Sequence, residues 1–260
     1  MIEVVPDRPN PQVMIPMTAE DVRRRRQKLV YICLGAVALI VLASYWGYRR
    51  MVDPREAQAA FDSGERLLQT ERYQQAILAF DLALRRQPSL AEAHFLRGEA
   101  YAAQSDVDQA LVEYAAYLKA RPRDSKAWVQ CARANLAKKD FAAAIADGDK
   151  ALEIDPRLAQ AYSLRGRALR ETGQFQKAIQ DFTRAIQLSP SVADYAARGE
   201  AYQRTNQHEL AIADFDVVID FLPDAAPAYY ARAASRRSLG DEAGAKRDYK
   251  LGVSLDDPVP

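Results

Sequence analysis

Residues 93–122 read AHFLRGEAYAAQSDVDQALVEYAAYLKARP, and residues 161–190 read AYSLRGRALRETGQFQKAIQDFTRAIQLSP. Placed one over the other, they keep Arg97 with Arg165, Gly98 with Gly166, Ala110 with Ala178 and Pro122 with Pro190. Prolines carry the register further: Pro88, Pro122, Pro156, Pro190 and Pro223 are spaced by 34, 34, 34 and 33 residues. A fixed period of this length marks stacked structural repeats, in which each unit buries its apolar face against its neighbours. Folding the sequence at that period gives six blocks: 57–90, 91–124, 125–158, 159–191, 192–225 and 226–258.

The columns of this arrangement carry the physics. The twentieth is alanine throughout (Ala76, Ala110, Ala144, Ala178, Ala211, Ala245), as where two helices come too close for a larger side chain. The eighth is Gly64, Gly98, Ala132, Gly166, Gly199 and Ala233, a second small-residue contact. The twenty-fourth is Phe80, Tyr114, Gly148, Phe182, Phe215 and Tyr249, predicting a buried ring in five blocks. The fourth is aromatic or His in the last five blocks: His94, Trp128, Tyr162, Tyr195, Tyr229. Each block thus reads as a first helix, a short turn, a second helix and a proline-marked turn. Asp53-Pro54-Arg55-Glu56 starts the first of these helices, with Asp as N-cap and Pro at the first helical position.

One pairing emerges between columns. The seventh holds Arg97, Arg165, Arg198 and Arg232, and the twenty-third of those same blocks holds Glu113, Asp181, Asp214 and Asp248. Where the seventh is Ser63, the twenty-third is Ala79; the third block breaks the rule with Cys131 and Asp147. We expect an arginine on the first helix to bridge a carboxylate on the second in four blocks, a structural role. The last helix, about Asp241 to Leu255, is expected to be a polar end-cap.

The recurring aromatic, Gly, Tyr/Leu, Ala, Phe/Tyr, Ala and Pro resemble the tetratricopeptide repeat family over about 200 residues. Departures fall at Ala132, Gly148, Gly244, Gly252 and Asp257. The resemblance implies an all-α solenoid of six helix-turn-helix repeats that binds a protein or peptide in a concave groove. In the family, columns two, five, nine, twelve and thirteen of the first helices line that groove. Carried onto this sequence, the early columns give Gln58, Phe61, Glu65, Leu68, Glu92, Phe95 and Glu99, acidic and apolar, with two Phe as anchors. The later ones give Lys126, Arg133, Arg167, Arg170, Arg204, Tyr230 and Arg237, mostly basic though diluted by Glu171 and Glu200. The expectation is a polarised groove whose basic half receives an acidic segment or a C-terminal carboxylate. The alternative is a solvated face of mixed charge. Family members that clamp chaperone tails use Lys and Asn at columns five and nine of their first repeat. Phe61 and Glu65 stand there in this chain, so that ligand is not implied.

Upstream of the repeats, Leu29 to Tyr48 reads LVYICLGAVALIVLASYWGY, twenty residues without a charge. As a helix it would span about 30 Å, the thickness of a bilayer's hydrocarbon core. Tyr45, Trp46 and Tyr48 gather at one end, where amphipathic rings favour headgroups. Arg23 to Arg26 and Lys28 precede the span; Arg49, Arg50 and Arg55 follow. The positive-inside rule then puts the N-terminus in the cytoplasm and the repeats outside it, in the periplasm for a bacterial inner membrane. A cleaved signal peptide is the competing reading, with Val41 and Ala43 before a cut. Cys33 reads as a small apolar filler rather than a lipid attachment site. Residues 1–28 form a tail with Pro6, Pro9, Pro11 and Pro16, and Thr18 with Asp21 marks a helix start. The domain reading is 1–28 tail, 29–48 transmembrane helix and 49–260 solenoid.

Charge supports three zones. The formal total is +1, from 36 basic and 35 acidic residues, but residues 51–260 sum to −3. This excludes general nucleic-acid basicity. Two Cys and two His exclude a disulfide framework and a His-rich metal site. Arg outnumbers Lys 27 to 9, a bias that fits a GC-rich, bacterial genome. There is no phosphate loop, nucleophile motif or metal-spaced Cys/His set. Cys131 reads as a core thiol, and His94 and His208 as packing residues. No catalytic, cofactor or metal residue is expected, and no small-molecule substrate or nucleic acid. The reading is a membrane-anchored scaffold or assembly factor binding protein; the alternatives are a permanent accessory subunit of a membrane complex, or a cytosol-facing import receptor.

Overall fold

The computed structural model describes residues 19–51 and 54–256. Those residues form thirteen helices and no strand. They divide into two units, one ending at Asp53 and one beginning at Pro54.

The first unit is helix α1, Ala19–Met51. Its expected cap, Thr18, and the side chain of Asp21 lie outside the described residues. From Leu29 to Ala43 every side chain is exposed, Tyr31 to 73% and Leu39 to 69%. Among the described residues no helix is long and apolar enough to cross a membrane. The side chains of Tyr45, Trp46, Tyr48, Arg49 and Arg50, which complete the expected span and its flank, lie outside the described residues, as does Asp53.

The second unit is six helix pairs. They are α2 (Pro54–Gln69) with α3 (Tyr73–Arg86), α4 (Ala91–Ala103) with α5 (Val107–Ala120), and α6 (Ser125–Ala137) with α7 (Phe141–Ile154). Then come α8 (Ala159–Glu171) with α9 (Phe175–Leu188), α10 (Val192–Arg204) with α11 (His208–Phe221), and α12 (Ala226–Ser238) with α13 (Glu242–Asp256). Each helix packs most heavily on its partner, and each pair on the next. This is an all-α solenoid.

The turn inside each pair has one geometry. Column fifteen is left-handed in all six repeats: Glu71 (φ 59°), Ser105 (63°), Lys139 (62°), Gly173 (77°), Asn206 (58°) and Gly240 (81°). Only two of the six are glycine, so the others hold a conformation that L-residues rarely adopt. Aspartates cap several of the helices that follow turns: Asp106 accepts from the Gln109 N–H, Asp124 from Lys126 and Ala127, Asp140 from Ala143, and Asp241 from Gly244.

All six column-twenty alanines are fully buried. The eighth and twenty-fourth columns answer each other. A methyl added to Gly64 would come within 2.5 Å of the Phe80 ring, and one on Gly199 within 2.9 Å of Phe215. The column-eight glycine is thus the slot for the ring. Where that glycine becomes Ala132, the ring becomes Gly148, and there the stem of Arg165 from the next repeat closes in, 3.0 Å from where a methyl on Gly148 would stand. Where it becomes Ala233, the ring remains but leaves: Tyr249 is 55% exposed. The expectation of five buried rings is therefore corrected to four, Phe80, Tyr114, Phe182 and Phe215. The end-cap is corrected too. Helix α13 is charged, but it also exposes Tyr249, Leu251 and Val253.

Candidate functional site

The arginine column forms the ladder expected of it. Arg97 donates to Glu113 at 2.8 Å. Arg165, Arg198 and Arg232 each grip their carboxylate with two parallel bonds: Asp181 at 2.8 and 2.7 Å, Asp214 at 2.9 and 2.7 Å, Asp248 at 3.0 and 2.8 Å. Bidentate geometry of this kind is the strong form of the contact. Each guanidinium also reaches back to column twenty-five of the preceding repeat: Arg97 to Asp81 (3.3 Å), Arg165 to Asp149 (2.6 Å), Arg198 to Thr183 (3.1 Å) and Arg232 to Asp216 (2.6 Å). The column therefore ties repeats to one another as well as helices within a repeat. Three of the guanidinium groups lie over the column-four ring of their own helix, at 5.6 Å (Tyr162), 5.4 Å (Tyr195) and 5.5 Å (Tyr229) from the centroid. In the second repeat His94 stands at that column and bonds Glu113 through Nδ1 at 2.7 Å. Burial would raise the Glu113 carboxyl, but the bonds from His94 and Arg97 outweigh it and hold it below the usual range.

The first helices of successive repeats lie side by side, α6 beside α8 and α8 beside α10. Arg133, Arg167 and Arg170 converge there on one cavity of about 350 Å³, floored by Leu136, Phe141 and Leu164 and shared with Lys139 and Glu171. Arg133 and Arg167 are exposed and have no hydrogen-bonded carboxylate among the described residues. Arg170 is spoken for by Glu171 at 2.8 Å and by Glu200. A second cavity of about 540 Å³ adjoins it, bounded by Arg170, Glu200, Gln203 and Arg204. Arg204 lies over the Phe175 ring, 5.0 Å from its centroid.

The other expected groove residues are placed apart from this pair of cavities. Phe61 packs on Phe80 (5.8 Å between centroids), Phe95 on Tyr114 and Tyr117 (5.7 and 5.1 Å), and Tyr230 on Tyr249 (5.5 Å). These column-five rings join the two helices of their own repeats. The ring of Tyr230 takes the space opened by Gly252, where a methyl would come within 2.6 Å, and its hydroxyl donates to Asp256 at 2.6 Å. Glu92 accepts from Arg121 at 2.9 Å. Glu65 is half-buried; Glu99 is half-buried, accepts from Gln130 at 3.4 Å, and is pushed up by burial against the pull of Arg133 and Gln130. Lys126 borders a separate recess with Tyr117 and Asp124, and Arg237 pairs at 3.9 Å with Glu242. Among the described residues no group of His, Cys, Asp and Glu is arranged to hold a metal ion.

The sequence reading missed the column-twenty-five acceptors. Each belongs to the repeat before its arginine, so a search within blocks passes over it. It also missed Asn135, which donates to Asp147 at 2.8 Å where the third repeat lacks an arginine.

Models of the tetratricopeptide repeat match residues 43–91, 61–118 and 95–159, and another of the same description matches 159–192. Together they run over more than half of the chain. The chain belongs to the tetratricopeptide repeat family. No curated protein matches it. Solved structures share its fold. A tetratricopeptide repeat protein from Parabacteroides merdae has a TM-score of 0.67 at 17% identity, over 79% of this chain and 82% of its own. MamA from Desulfovibrio magneticus RS-1 has a TM-score of 0.62 at 23% identity, over 67% and 98%. YrrB, described as a repeat protein with an unusual peptide-binding site, has a TM-score of 0.60 at 20% identity, over 66% and 90%. At these identities the likeness is one of fold.

Proposed function

We propose that this chain is a membrane-anchored scaffold or assembly factor, without catalysis of its own. Its first-helix face holds a protein or peptide partner through an acidic segment or a C-terminal carboxylate. The observation that carries the reading is the convergence of Arg133, Arg167 and Arg170 on one cavity with an apolar floor. Guanidinium groups are suited to fork a carboxylate, and Leu136, Phe141 and Leu164 offer apolar surface to the side chain beside it. The binding face is narrower than the full first-helix face, since Glu92, Phe61, Phe95 and Tyr230 are engaged within the solenoid.

The anchor reading rests on the exposed apolar run of Leu29 to Leu42, its uncharged continuation to Tyr48, and the basic residues on its N-terminal side. An exposed apolar surface of that length calls for a covering, and a bilayer supplies one. In this reading the N-terminus is cytoplasmic and the repeats lie in the periplasm of a bacterial inner membrane, where anchoring raises the effective concentration of partners in the same membrane. The test is affinity capture from detergent extracts with the full chain, comparing wild type with Arg133→Glu/Arg167→Glu/Arg170→Glu. Loss of a stoichiometric partner in the variant supports the reading, and an unchanged partner set rejects the basic cavity. Protease accessibility on intact spheroplasts tests the topology: repeats cleaved without lysis fit it, and protected repeats reject it.

A further inference from the structure

The third repeat lacks an arginine but keeps most of what an arginine needs. In the fourth, fifth and sixth repeats three features surround the guanidinium. A column-twenty-three carboxylate takes it in two bonds, a column-four ring lies beneath it, and column twenty-five of the preceding repeat accepts its third bond. In the third repeat the carboxylate is Asp147 and the ring is Trp128, yet the arginine position is Cys131 and the preceding acceptor position is Ala115. Two truncations at neighbouring positions leave a cleft of about 400 Å³ between α5, α6 and α7. Its walls carry Asp147, Asn135 and Trp128 together with Leu111 and Leu118. Lys119 also borders it, but among the described residues no Lys or Arg makes an ion pair with Asp147.

We propose that this cleft is a socket for an arginine side chain of a partner protein, which supplies in trans the guanidinium that the other repeats carry in cis. The incoming group would take Asp147 in its fork and lie against the Trp128 indole, as its counterparts do over tyrosine. Ala115 in place of an acceptor leaves an entrance for the partner's side chain beside the second helices, away from the basic cavity between α6 and α8. The state of the free carboxylate agrees. Burial raises Asp147 above the usual carboxylate range, the Asn135 bond offsets only part of that, and Asp140 adds to it. A bound cation would oppose that shift by favouring the ionised carboxylate. Cys131 has no part in the chemistry: it is buried, and its thiol is pushed up to about 12, chiefly by burial. The socket and the basic cavity recognise opposite charges on different faces, so the two readings stand or fall separately.

The test uses the full chain in detergent micelles. Trp46 and Trp128 are its two tryptophans, so Trp46→Phe makes the Trp128 indole a reporter on the socket wall. The probes are acetyl-Gly-Arg-Gly-amide and the same peptides with citrulline or lysine at the centre. We expect a saturable shift of the indole N–H resonance with the arginine peptide and at least tenfold weaker binding of citrulline, which keeps the shape and loses the charge. Lysine should also bind more weakly, having no fork. Asp147→Asn should weaken the arginine peptide at least tenfold while the circular-dichroism melting profile is retained. Cys131→Arg should abolish binding by filling the socket from within; if that variant fails to fold, Asp147→Asn and the citrulline peptide decide alone. Equal binding of arginine and citrulline, indifference to Asp147→Asn, or no saturable shift overturns the proposal. Equal binding of lysine overturns the guanidinium assignment. Self-association of the unliganded chain that Cys131→Arg abolishes would place a second copy's arginine in the socket and overturn the partner assignment.

Discussion

Removing one arginine of the ladder should cost far more than removing the pair. Arg198 is the clearest case. Its side chain is 16% exposed and that of Asp214 6%. Two bonds at 2.9 and 2.7 Å join them, a third at 3.1 Å reaches Thr183, and the guanidinium sits 5.4 and 5.7 Å from the Tyr195 and Tyr202 centroids. Arg198→Met keeps much of the apolar stem but strands a buried carboxylate, a change that costs about 3–5 kcal/mol. Arg198→Met/Asp214→Leu removes both charges and should fall within about 1–2 kcal/mol of wild type, since an apolar pair can replace a buried ion pair at little cost. The second substitution should therefore recover about 1–4 kcal/mol of what Arg198→Met loses. Urea denaturation of the full chain in detergent, followed by circular dichroism, reads this as a midpoint shift. With a slope of about 1–3 kcal/mol per molar, Arg198→Met should lose at least ~1 M. Because repeats unfold with their neighbours, a loss localised to the last three pairs counts as the same result. A single mutant within about 1 kcal/mol of wild type, or a double mutant worse than the single, would refute the claim that the ladder holds the repeats together.

Three further outcomes follow from other contacts. Gly199→Ala should destabilise by about 1–3 kcal/mol, because its methyl would stand 2.9 Å from the Phe215 ring in a filled contact; melting temperature checks it. Glu71→Gly and Lys139→Gly should each stabilise by about 0.5–1 kcal/mol, since both residues are left-handed at φ 59° and 62°; a drop in melting temperature would contradict this. Glu113, held low in the fold by His94 and Arg97 against its burial, contributes stability that is present above its unfolded pKa and lost as pH falls through the lower folded one. Glu113→Gln should therefore cost more at pH 7 than at pH 3, measured by denaturant midpoints.

The parts of this molecule that were legible in sequence are those where one column decides the physics. Ala76 and its five counterparts announce a helix contact because only a methyl fits, and all six are buried. Arg97, Arg165, Arg198 and Arg232 announce a pairing because their carboxylates change with them. The missed contacts cross a boundary or change residue type. Asp81, Asp149 and Asp216 serve the arginine of the following repeat. Column fifteen is Glu, Ser, Lys, Gly, Asn and Gly, so composition hides a backbone geometry that every repeat shares. The exchange of Gly98 and Tyr114 for Ala132 and Gly148 was visible only when two columns were read together. The groove was legible as charge but not as use: the sign of Arg170 is in the sequence, whereas its engagement by Glu200 of the next repeat is a matter of geometry.

The basic cavity between α6 and α8 is where the functional account is most exposed. Calorimetric titration of the full chain in detergent with an acidic peptide bearing a free C-terminal carboxylate tests it directly, with the C-terminal amide as control. The account predicts saturable binding that weakens as salt rises, and at least tenfold loss both with the amide and with Arg133→Glu/Arg167→Glu, because these two exposed cations feel Glu99 and Asp194 only at a distance and make no hydrogen bond to a carboxylate among the described residues. Binding that is equal for acid and amide and unchanged in the charge-reversed variant would contradict it.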